Sequence, residues 1–73
     1  MKEISVNDLI VGVKYNFLWG PNNLLLSGIF VEKNAIGIAD FNNARDKFGN
    51  VANVDENGNE IGVATAGPFF ILR

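Results

Sequence analysis

The chain of 73 residues has no cysteine and no histidine. The first absence excludes disulfides, thiolate metal sites and cysteine nucleophiles. The second excludes Ser-His-Asp triads, imidazole ligation and a histidine base working near neutral pH. Charge is also scarce. Six bases against eight acids leave a net charge of -2, and charged residues make up only 19% of the chain, against about 25% in an ordinary soluble domain. A strongly basic surface for a phosphate backbone is therefore not expected. Long apolar runs are missing as well. Leu24-Leu25-Leu26 and Phe69-Phe70-Ile71-Leu72 are only a few residues long, whereas a spanning helix needs about 20. Lys2-Glu3 is not followed by an apolar stretch, so no signal peptide is expected. The expected location is cytoplasmic, or the host cytoplasm if the chain is phage-encoded. No glycine-rich phosphate cradle of either common spacing occurs.

What is abundant is apolar side chain, at 48% of the residues. A chain of this length forms one small domain, 1–73, with a limited core and no covalent or metal staple to support it. More apolar surface is present than such a domain hides by itself, which favours a homo-oligomer or a subunit of a larger assembly.

Glycine and asparagine punctuate the sequence. Gly12, Gly20, Gly28, Gly37, Gly49, Gly58 and Gly67 fall at intervals typical of turns between short antiparallel strands. Ser5-Val6-Asn7-Asp8 resembles a capping box, with Ile4 and Leu9 as a hydrophobic staple and Gly12 as the stop. It predicts one or two helical turns over Val6 to Val11, placed as a lid. The first strand runs from Val13 to Trp19, with Val13, Tyr15, Phe17 and Trp19 on one face. Gly20-Pro21-Asn22-Asn23 is a turn. The second strand is Leu24 to Lys33, bent or bulged at Gly28. The third is Ala35 to Phe41. Asp40 to Asn50 reads as a loop with a helical turn, in which Ala44 and Phe48 form an i,i+4 pair. Val51 to Val54 and Glu60 to Ala66 flank Asn57-Gly58, which reads as a type I′ hairpin. Phe69 to Leu72 is the last strand. The expected fold is all-β: a small five- or six-stranded SH3-like or OB-like barrel with a short N-terminal helical turn.

The candidate chemistry is thin. The oxygen-bearing run from Asp55 to Glu60 fails the calcium-loop test, because Glu60 stands where glycine is needed and Ala66 where the bidentate glutamate is needed. No metal or cofactor is expected. Catalysis by paired carboxylates requires close acids raised in pKa, and only Asp40 lies among apolar neighbours, where capping is its simpler role. No enzyme is expected. Tyr15, Phe17 and Trp19 would stack single-stranded nucleic acid only if they were not core residues, and the flanking bases are interrupted by acids. A small nucleotide-like ligand is an alternative: Trp19 would stack its ring, Asn43 read its edge, and Arg45 or Lys47 pair its phosphate, at a subunit boundary.

The most specific signal concerns a protein partner. Adjacent residues of a strand point to opposite faces. Leu24, Leu25 and Leu26, and likewise Phe69 and Phe70, therefore put apolar groups on both sides of their strands. A second cover is required, and the short helical turn is too small to supply it. The expectation is a non-enzymatic interaction module that self-associates or builds part of an assembly, by analogy an accessory protein of a phage or mobile element.

Overall fold

A computed structural model describes residues 2–71. Six strands form one antiparallel sheet: β1 (Glu3–Ile4), β2 (Lys14–Trp19), β3 (Leu24–Lys33), β4 (Ala39–Arg45), β5 (Val63–Thr65) and β6 (Phe69–Ile71), in the spatial order β1-β6-β2-β3-β4-β5. Among the described residues no strand pair closes the ladder, and β1 and β5 are its edges. The sheet nevertheless coils. The Thr65 hydroxyl on β5 donates to the Leu18 carbonyl on β2 at 2.8 Å, although two strands separate β5 from β2 in the ladder.

The period-two pattern of β2 and β3 is the strongest local signal, and it decides which face is inside. Tyr15 and Phe17 from β2, Leu26 and Phe30 from β3, Ala39, Phe41 and Ala44 from β4, Val63 from β5 and Phe69 from β6 make the core. Phe41 is its hub. Its ring stacks on Phe17 at 4.1 Å between centroids and meets Phe30 and Phe69 at 5.8 Å each. Such aromatic contacts add to the stabilisation from area burial alone. Gly28 lets the strands approach this stack. A Cβ there would lie 3.1 Å from the Phe41 Cβ and 3.2 Å from the Asn42 carbonyl oxygen.

Two bulges bend the β3–β4 pair. The step from Ser27 to Ile29 covers two residues, while the opposing step from Arg45 to Asn42 covers three; beyond it, Phe30 to Glu32 opposes only Phe41 to Asp40. The extra residues are Asn43, whose φ is 55°, and Val31. A bulge breaks alternation, which is why Ala44, and not Asn43, points inward after Phe41. This corrects the expected strand Ala35 to Phe41 and the expected loop from Asp40. The strand starts at Ala39 and runs through to Arg45, and Ala44 is a core residue while Phe48 stands 77% exposed. The two are not a helical pair.

The N-terminal element is also shorter than expected. It is a single 3-10 turn, Val6–Asp8, capped by the Ser5 side chain, which accepts from the Asn7 N–H at 3.3 Å. The turn goes no further because the Ile10 N–H donates to the Tyr15 hydroxyl at 2.9 Å instead of to a helical carbonyl. Val6 and Leu9 pack on the core. Val51 and Val54 make isolated bridges, not a strand, and the regular part of the expected Glu60-to-Ala66 strand is β5 alone. The last expected strand is β6, and its terminal Leu72 lies outside the described residues.

Three further turns follow one rule that the spacing of glycines does not reveal. Asn34, Asp46 and Asp55 each start a five-residue turn with glycine at the fourth position (Gly37, Gly49 and Gly58). In each, one side-chain oxygen accepts two backbone N–H groups: Ile36 and Ile38 at 3.0 Å, Phe48 and Asn50 at 2.9 Å, Asn57 and Asn59 at 2.9 and 2.8 Å. The glycine N–H returns to the carbonyl of the first residue. Positive φ is confined to the glycine, 82° at Gly58, and Asn57 is not among the left-handed residues. The expected type I′ turn at Asn57-Gly58 is therefore replaced by an Asx-stabilised turn whose left-handed residue follows it.

Candidate functional site

With Tyr15 and Phe17 inside, Asn16 and Leu18 of β2 must point to the other side of the sheet. Leu26 and Gly28 inside place Leu25 and Ser27 outside; Phe69 inside places Phe70 outside; Ala44 inside places Arg45 outside. Strand register then aligns these residues across the sheet. Glu3 pairs with Phe70, Phe70 with Asn16, Asn16 with Ser27, Ser27 with Arg45 and Arg45 with Val51. They form one row from β1 past β4. Directly opposed Leu18 and Leu25 lie one pleat along. Leu18 and Phe70 are half-buried and Leu25 is 38% exposed. This outer face has apolar side chains on a sheet that has no second layer among the described residues.

Its charged end is built from the residues around the 46–50 turn. Arg45 forms a two-pronged pair with Glu60: Nη1 with Oε1, and Nη2 with Oε2 at 3.2 Å. The hydrogen bond from Arg45 holds the Glu60 carboxyl below its usual range, and the same bond raises the Arg45 guanidinium. The Asn50 backbone N–H, then that of Phe48, holds the Asp46 carboxyl low as well. Lys47 sits over the Phe48 ring at 5.2 Å. A hollow of about 60 Å³ opens between Asn16, Leu25, Ser27, Arg45 and Lys47.

The four residues expected to bind a small ligand do not converge. Arg45 and Lys47 share that hollow, with Arg45 already neutralised by Glu60. Trp19 lines a separate depression of about 140 Å³ with Gly20, Pro21, Asn22 and Leu24. Asn43 lies in a third, beside Glu60 and Ile61. Of the expected contact residues, Leu26 at 1% and Phe69 at 3% exposure belong to the chain's own core, a correction that leaves Leu24, Leu25 and Phe70 on the surface. Leu24 is 50% exposed at the start of β3. Leu18, Asn16 and Ser27 were not among the expected site residues. The signal for them was present: strict alternation around Tyr15 and Phe17 fixes Leu18 as outward-facing.

Among the described residues, no helix is long and apolar enough to cross a membrane, and no cluster of acidic side chains is placed to hold a metal ion. No family model matches the chain, and no curated protein or solved structure matches it either.

Proposed function

We propose that the chain is a non-enzymatic interaction module that self-associates, using the outer face of its sheet. The observation that carries this reading is the set Leu18, Leu25 and Phe70. The three sit on that face by the strand register, and no layer of the chain among the described residues packs over them. Burying an apolar side chain contributes about 1.5–3 kcal/mol relative to leaving it exposed, so the face gains stability from a cover. The Arg45–Glu60 pair at its charged end supports the same reading, since these two charges offset each other. The Thr65–Leu18 bond supports describing the scaffold as a small open barrel of SH3-like or OB-like type. Multi-angle light scattering over a dilution series tests the proposal. A mass above one chain that falls on dilution is the expected result, and a single-chain mass at every concentration would remove it.

A further inference from the structure

We infer that two copies pack their outer faces together about a two-fold axis that runs parallel to β2 and β3, between the two sheets. This rests on the self-association reading above and adds the orientation. The argument comes from the order of groups along the cross-sheet row. Glu3 stands at one end, and Arg45 with Lys47 near the other. Arg45 and Glu60 satisfy each other, and the Asp46 carboxylate accepts from the N–H groups of its own turn. Among the described residues, the charges on this face without an ion-pair partner are Glu3, Lys47 and Lys14, and, farther along the strands beyond Lys14, the opposed Glu32 and Asp40 of β3 and β4.

Face-to-face sheets align their strands to within about 30°, so two directions for the axis are available. An axis across the strands lays each strand over its own copy. Glu3 then meets Glu3 and Lys47 meets Lys47, which is repulsive at both ends. An axis along the strands reverses the strand order instead. Phe70 of one copy then lies over Arg45 of the other, and Glu3 over Val51, beside the Arg45–Lys47 end. Leu18 lies over Leu25, and the Asn16 amide over the Ser27 hydroxyl, because β2 and β3 exchange places. Lys14, one pleat to the other side of the row opposite Ile29, stays at the rim with its ammonium in water. The arrangement is isologous and closes on itself, so the assembly stops at two chains.

Sedimentation equilibrium on the full chain, its Leu25→Asp, Glu3→Lys and Lys47→Glu variants and the Glu3→Lys/Lys47→Glu double variant tests this, with circular dichroism to establish that each is folded. The expected wild-type mass plateaus at two chains. Leu25→Asp gives a folded monomer. Each single charge reversal raises the dissociation constant about tenfold, and the double variant returns toward wild type. A folded wild type that stays monomeric would overturn the self-association reading itself. A dimer indifferent to Leu25→Asp would overturn this face while leaving self-association in place. A dimer lost in Leu25→Asp but without rescue in the double charge variant would overturn the axis alone.

Discussion

On the inner side of the sheet, β2, β3 and β4 contribute Phe17, Leu26 and Phe41, all fully buried and in mutual contact around one ring stack. On the outer side the same three strands contribute Leu18, Leu25 and Arg45, which remain partly open to solvent. The inner residues are large, apolar and locked by neighbours on several strands. The outer ones mix leucine with asparagine, serine and a paired arginine. One face thus carries the cooperative folding energy and the other carries surface that the fold tolerates but does not need. The lesson is that side chains of the same hydrophobicity, one residue apart, have different jobs, and pleat geometry alone assigns them.

The strongest way to break this contrast is at the hub. Phe41→Ala is expected to cost about 3–5 kcal/mol, which for a chain this small approaches its whole stability, and a chemical-denaturation midpoint measures it. Gly28→Val comes next. Its side chain would meet Phe41 and the Asn42 carbonyl at 3.1 and 3.2 Å already at Cβ, so a loss of about 1–3 kcal/mol is expected in the same assay. Gly49→Ala probes the turns. It forces a Cβ onto a φ of 85° in otherwise open space, at about 1–2 kcal/mol. On the outer side, Leu25→Asp should shift the midpoint of the monomer by no more than about 0.5 kcal/mol, because the position is a surface one in the single chain. A loss at Leu25 as large as that at Phe41 would abolish the distinction between the faces.

The smallest effect is electrostatic. Asp46 and Glu60 both have carboxyls held below their ordinary range, by the N–H groups of the 46–50 turn and by Arg45 respectively. A depressed folded-state pKa means that the unfolded chain takes up protons first. The stabilisation is therefore fully present above the ordinary carboxylate pKa and is lost as pH falls through the lower folded values. Both groups are at the surface, so the expected change is a modest fall in melting temperature on acidification. The fall should be reduced in an Asp46→Asn variant, measured by thermal melts across the acid range.

The sequence made the two faces legible wherever alternation was unbroken. Leu24 to Lys33 was bounded as observed, and the Tyr15–Phe17 face was placed inside. It failed where a single inserted residue shifted the phase. Ala39, Phe41 and Ala44 are three inward residues of one strand, but their spacing of two and then three mimics the onset of a helix, and nothing local marks Asn43 as a bulge. The turns were located but their chemistry was misassigned. Asn57-Gly58 by itself points to a type I′ hairpin, whereas the controlling residue is Asp55, two positions earlier, as its counterparts Asn34 and Asp46 make plain. The site was legible in part. Leu25 and Phe70 follow from adjacent apolar pairs, but which members turn inward, Leu26 and Phe69, is set by the strand register. Trp19 lines a hollow apart from Arg45 because of the sheet's topology, and Asn43 is turned from Arg45 by the bulge within β4; neither is encoded by a local pattern.

The two outermost strands, β1 and β5, are only two and three residues long. An incoming chain finds little unpaired backbone to zip against at either margin, so sideways extension into a fibril has almost no template. Any growth of this protein beyond one chain is thereby directed away from these two strands.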